Sequence, residues 1–226
     1  MPSKTKAATS KGATAAKPKA AKTARSKTAK PANIQKKSAP REETAQVLTS
    51  KVVYEGKLFR VVHDKMIEPG GYENERDVVR HNGSAVILAI DSSKNKKNPW
   101  VVMERQYRHA AGRFLWELPA GKVEPGEDLL TGAQRELAEE TGYQAKKWKC
   151  LAEYWASPGF LGESMTLFLA EGLSVGEPSP EEDERIELRL VRLSEVLKMI
   201  EKGAIQDGKT LVGILLYARL KLKGRK

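Results

Sequence analysis

Hydrophobic positions recur along the chain at two periods, every second residue in some segments and every third or fourth in others. "AQVLTSKVVYEGKLFRVVHDKMIE" has β-branched runs on either side of the turn signal "EG", which predicts two strands. "RDVVRH" predicts a third, and residues 46–82 read as a small antiparallel unit ahead of the main domain. "SAVILAID" is a continuous apolar run that ends in the polar turn "DSSKNKKNP" and is followed by "WVVMERQYR". Unbroken runs of this kind suit central strands covered on both faces. "LPAGKVEPGE", with two prolines and two glycines, reads as loop. "DLLTGAQRELAEETG" reads as a helix starting near Asp128 and stopping at Gly142. "KCLAEYWASPG", "SMTLFLAEGL" and "IELRLVRL" read as strands. "SEVLKMIEKG" and "TLVGILLYARLKL" read as helices, the first opening like a capping box that lacks its Glu.

Charge changes this picture at one end. The net charge of the 226 residues is +11, yet residues 1–45 hold 12 Lys or Arg against two Glu. The rest, with 28 basic and 27 acidic residues, is close to neutral. The Lys/Ala/Thr/Ser/Pro-rich tail has almost no large apolar residue, so it is expected to be disordered. It resembles the tails of linker-histone-like proteins. That implies weak, nonspecific polyanion contact through phosphate neutralisation; the alternatives are a solvated tail or a targeting segment. The longest apolar runs, "AVILAI" and "VGILLYA", fall far below the roughly 20 residues of a membrane helix, so no membrane partner is expected. The start has no apolar signal-peptide core, and a cytoplasmic location is expected. Cys150 is the single cysteine; it excludes an intrachain disulfide and reads as a small buried residue rather than a nucleophile.

The candidate chemistry sits in "GKVEPGEDLLTGAQRELAEETGY", residues 121–143, where five glutamates fall within 23 residues. Like charges three or four apart on a helix repel by a few tenths of a kcal/mol per pair. Leu130, Ala133 and Leu137 form an apolar stripe, with Glu136 and Glu140 on its margin about 40° apart and Glu139 about 60° further round. These carboxylates border the buried face, and a Gly/Pro loop carrying Glu127 leads into them. Clustered carboxylates suit a hard divalent cation, which takes oxygen ligands and borrows the remainder from phosphates. Arg135 stands four residues before Glu139 and is placed to hold it. Gly121 allows close backbone approach, making the carbonyl of Ala120 a further candidate ligand.

The same stretch resembles the Nudix box, G-x5-E-x7-R-E-U-x-E-E-x-G-U. Here the positions are Gly121, Glu127, Arg135, Glu136, Leu137, Glu139, Glu140, Gly142 and Tyr143. Only Tyr143, in place of an aliphatic residue, departs from it. Pro158, 15 residues after Tyr143, and "RQYRHAAGRFLWELPAG" resemble the ADP-ribose pyrophosphatase subfamily over roughly residues 46–220. The resemblance implies an α/β/α sandwich on a mixed sheet (α/β, or α+β, in class), with an N-terminal β extension over 46–82 and a Nudix domain over 83–226. It implies Mg²⁺ or Mn²⁺ as cofactor, a nucleoside-diphosphate sugar as substrate, and a homodimer exchanging the extension.

It also implies roles. Ala120, Glu136, Glu140 and, in a later acidic loop, Glu184 are the expected metal ligands. Arg108, Arg80 and Glu163 are expected on the substrate side. Glu182, Glu139 and Glu163 compete for general base, with Glu182 favoured and Arg135 beside them in the catalytic set. His63, His81 and His109 read as surface or strand residues, and the four tryptophans as core or strand-edge residues. Two rivals remain: hydrolysis of GDP-mannose or ADP-glucose, and a nucleic-acid-associated nucleotide sensor using the basic tail.

Overall fold

The apolar run expected as a central strand is β4 (Ser84–Asp91), with seven of its eight residues buried. The computed structural model describes residues 43–179 and 185–223. Val86, Leu88 and Ile90 of β4 belong to one apolar cluster, and Ala85, Ile87 and Ala89 to another. Alternate side chains of a strand point to opposite faces, so each face needs its own cover. On one face α1 (Leu129–Thr141) supplies Ala133 and Leu137. On the other, α2 (Leu193–Glu201) and α3 (Gly208–Lys223) supply Val196, Ile214 and Tyr217. Each fully buried Leu or Ile contributes about 1.5–3 kcal/mol.

Beside β4 stand β5 (Trp100–Arg108), β8 (Tyr143–Trp155), β9 (Ser164–Val175) and β10 (Ile186–Arg192), in the order β10-β5-β4-β9-β8. β4 and β9 run parallel and the other pairs antiparallel, giving a mixed sheet between two helical layers. The α/β/α sandwich is therefore the observed architecture.

Two short strands were not foreseen. β6 (Arg113–Glu117) folds back on β5 after a 3-10 turn at His109–Ala111, which ends at Gly112 with φ +65°. β7 (Ala120–Lys122) lies inside the stretch expected as loop and pairs with the first residues of β4. Its three residues are too few to show a period. Together they carry the chain from β5 to β4, and Pro119 between them accepts the Ile87 N–H at 2.8 Å.

Helix ends follow local chemistry. Asp128 accepts the N–H groups of Leu130 and Thr131, and Gly142 closes α1 at φ +70°. α2 differs from the expected capping box: Asn98, from the β4–β5 loop, accepts the Ser194 N–H at 3.0 Å. β8 starts at Tyr143, earlier than expected, because its Lys-rich first half alternates toward solvent. Cys150 lies on this strand and is exposed, contrary to expectation.

β1 (Gln46–Glu55), β2 (Arg60–Ile67) and β3 (Glu73–Arg80) form a separate antiparallel sheet. Its third strand is joined to the β8–β9 connection: Val79 N–H donates to Phe160 O, and Gly162 N–H donates to Val79 O, both at 2.8 Å. All ten residues of β1 are exposed, Val52, Val53 and Tyr54 by 46–54%. Among the described residues no helix is long and apolar enough to cross a membrane.

Candidate active site

The second half of α1 faces the segment that crosses from β6 to β7, and this contact brings Glu136 and Glu140 to the backbone. Ala120 N–H donates to Glu140 Oε2 at 3.1 Å. A Cβ built on Gly121 would lie 1.9 Å from Glu136 Cδ, so any larger residue there displaces that carboxylate. Glu136 and Glu140 are 9% and 5% exposed, which makes them buried charges held against one strand. The sequence reading of Ala120, Gly121, Glu136 and Glu140 as one unit is what the backbone assembles.

Arg135 has a larger task than holding Glu139. Its Nε and Nη2 grip Glu127 at 3.0 and 3.1 Å, while Nη1 donates to Glu136 at 2.8 Å and Glu139 at 2.9 Å. Nη2 also reaches Lys122 O at 3.3 Å. The Glu127 hydrogen bonds lead the causes that hold the guanidinium charged, and the same bonds lower the Glu127 carboxyl below its usual range. Gly132 leaves room for this clasp, since a Cβ there would lie 3.0 Å from Glu127 Oε2. Part of the repulsion within the cluster is thus relieved by one arginine. Among the described residues no group of three or more His, Cys, Asp or Glu is already arranged to hold a metal ion.

The structure adds acids that the sequence did not single out. Glu104 on β5 and Glu117 on β6 are cross-strand partners, each 1% exposed. Burial pushes Glu104 up to about 8, partly opposed by a hydrogen bond with Glu140. Its Oε1 is buried without a partner among the described residues. Burial also works against a charged Glu117, but hydrogen bonds from Arg108 and Lys209 outweigh it and lower the carboxyl. Arg108 Nε and Nη2 meet the two Glu117 oxygens at 2.9 and 2.8 Å, and Lys209 Nζ contacts Oε2. Two carboxylates on facing strands carry no helical or local signal, because the residues that stabilise them lie up to 92 positions away.

Glu163 and Arg80 have partners of their own. Glu163 accepts the Ser84 hydroxyl at 2.6 Å and lies 3.8 Å from His81 Nδ1. Arg80 donates to the buried Asp64 at 2.7 Å within the N-terminal sheet. Tyr154 has a buried hydroxyl, pushed up to about 12 by burial and by the charges of Asp207 and Glu163. Glu182 and Glu184 lie outside the described residues. A cavity of about 680 Å³, lined by Asp91, Tyr143, Lys147 and Tyr217 among others, opens at the far end of β4 and includes none of these acids.

An all-oxygen donor set fits a hard divalent cation, and so do the glycine cradle under Glu136 and the partnerless Glu104 Oε1 beside Glu140. This fold and this set of carboxylates suit metal-assisted phosphoryl cleavage. The family model described as NUDIX domain matches residues 80–211, and the chain belongs to that family; it is a hydrolase of the Nudix type, a family that generally uses a divalent metal. The chain is 37% identical over 179 residues to the ADP-ribose pyrophosphatase of Bacillus subtilis (strain 168), covering 78% of this chain and 93% of the relative. It is 33% identical over 165 residues to the GDP-mannose pyrophosphatase of Cronobacter sakazakii, covering 66% of this chain and 82% of the relative. A crystal structure of an ADP compounds hydrolase superposes with a TM-score of 0.68 at 19% identity, over 83% of this chain and 98% of the other, which shows the shared fold.

Proposed function

We propose that the protein hydrolyses the pyrophosphate of ADP-ribose, yielding AMP and ribose 5-phosphate, with Mg²⁺ or Mn²⁺ as cofactor. The observation that carries this reading is the contact of Glu136 and Glu140 with the Ala120–Gly121 backbone. Both carboxylates and the Ala120 carbonyl would hold the cation, with Glu184 as a further ligand. A bound cation supplies positive charge to the pyrophosphate and polarises the attacking water.

The chain's own groups do the rest. Arg108 offers the donors that Glu117 leaves free to a substrate phosphate or ribose. Arg80 and Glu163 flank the nucleoside side. Arg135 keeps Glu127, Glu136 and Glu139 in one array. Water attack needs a proton acceptor. Glu139 is paired with Arg135, and Glu163 accepts from Ser84, so Glu182 is the base this reading assigns.

The exposed β1 strand supports a homodimer formed through the sheet of residues 46–82. Residues 1–45 supply a polyanion contact, and the lone cysteine fits a cytoplasmic setting. Hydrolysis of GDP-mannose is the second reading, favoured by the relative that carries that activity in its name. The test is a Mg²⁺ titration of Glu136→Gln and Glu140→Gln. Each should lower turnover about a hundredfold or more with the fold intact, by removing charge that stabilises the transition state. Activity near that of the parent at saturating Mg²⁺ in either variant refutes the ligand assignment.

A further inference from the structure

The stretch "DGKT", residues 207–210, has no part in the chemistry above, yet it is bonded to the site at two successive residues. Asp207 caps α3, accepting the Thr210 N–H at 3.0 Å and its hydroxyl at 2.6 Å. Thr210 Oγ1 in turn accepts the Leu118 N–H at 2.8 Å. One residue back, Lys209 Nζ contacts Glu117 and lies 3.1 Å from Asp207. Lys209 is 10% exposed at its side chain, an unusual place for a lysine unless it is paired.

Glu117 is the hub of this arrangement. Its carboxylate is 1% exposed and takes two parallel bonds from Arg108, a geometry that fixes the plane of a guanidinium. The head of Arg108 is 40% exposed, and among the described residues its Nη1 has no hydrogen-bond partner. The guanidinium is therefore gripped on one edge and open on the other. It also feels the charge of Glu140. Lys209 shares one of the two Glu117 oxygens that Arg108 uses. With Lys209 present, Glu117 is balanced by two cations. Without it, Arg108 alone must balance a buried carboxylate and is drawn further onto it.

We propose that Lys209 is a positioning residue for substrate: through Glu117 it sets the direction of the Arg108 guanidinium toward the anionic groups of the bound nucleotide sugar. The inference rests on the reading of Arg108 as a substrate contact.

The test is a kinetic double-mutant cycle on the full chain with ADP-ribose, using Lys209→Met, Arg108→Ala and the pair. Arg108→Ala should raise KM. Lys209→Met alone should raise KM about tenfold, the scale of a misplaced binding group, with a much smaller change in kcat and an unchanged Mg²⁺ midpoint. In the Arg108→Ala background, Lys209→Met should add nothing to KM, because its route is gone. Lys209→Arg should restore most of the loss. Glu117→Gln gives a second variant of nearly the same shape and should raise KM in the same direction. An unchanged KM in Lys209→Met and Glu117→Gln, or additive effects in the cycle, overturns the proposal while leaving Arg108 as a contact. An unchanged KM in Arg108→Ala overturns that reading, and this one with it.

Discussion

At the scale of single residues, the site is governed by what each carboxylate leans on. Gly121 is the sharpest case. A methyl group there would meet the Glu136 carboxylate at 1.9 Å, with backbone on one side and a helix on the other. Gly121→Ala should therefore cut turnover at least tenfold and weaken Mg²⁺ dependence while lowering the melting temperature only a few degrees, as local overpacking costs about 1–3 kcal/mol. Differential scanning calorimetry with a metal titration checks it. The general base is a second residue-scale question. Glu182→Gln should lower kcat about a hundredfold, the usual range for a lost base, with KM and the Mg²⁺ midpoint little changed. Steady-state kinetics of Glu182→Gln beside Glu139→Gln and Glu163→Gln decides it; loss confined to Glu139→Gln or Glu163→Gln moves the base there. The residues legible in the sequence were those with local spacing: Asp128, Gly142 and the Glu136/Glu140 pair. Glu104, Glu117 and Lys209 were not, since each gains its meaning from partners on distant strands or helices. Cys150 was misread because a lone cysteine carries no positional signal on an edge strand.

At the scale of elements, β4 and α1 were read correctly and β6 and β7 were not. β4 and α1 declare themselves by an unbroken apolar run and by a striped helix. β6 and β7 have five and three residues, and only their pairing to β5 and β4 makes them strands. The Ala120–Gly121 contact lies in the second of these: the two residues were singled out in the sequence, but the strand that holds them was not. The N-terminal sheet presents a different matter. β1 shows Val47, Val52, Val53 and Tyr54 to solvent along an edge strand, which natural sheets usually cover or charge. A self-association surface is the economical reading. Val52→Lys with Val53→Lys should turn a dimer into a monomer in light scattering after gel filtration, without loss of the Nudix-domain melting transition. An unchanged mass would refute self-association through β1.

At the scale of the whole molecule, charge and chemistry are segregated. The 12 basic residues of 1–45 account for nearly all of the +11, and residues 46–226 are nearly neutral. Deleting 1–45 should leave ADP-ribose turnover within a factor of a few and abolish salt-sensitive retention on a polyanion column, because binding of this kind scales with the phosphates neutralised. A large loss of rate would give the tail a catalytic part. The central claim concerns what the folded part cleaves. The direct measurement is kcat/KM of the full chain for ADP-ribose, ADP-glucose and GDP-mannose, with Mg²⁺ and with the metal chelated, following AMP or GMP release. The account predicts the highest value for ADP-ribose, formation of AMP with ribose 5-phosphate in equal amounts, and loss of turnover on chelation. Faster cleavage of GDP-mannose, or turnover that survives chelation, would contradict it.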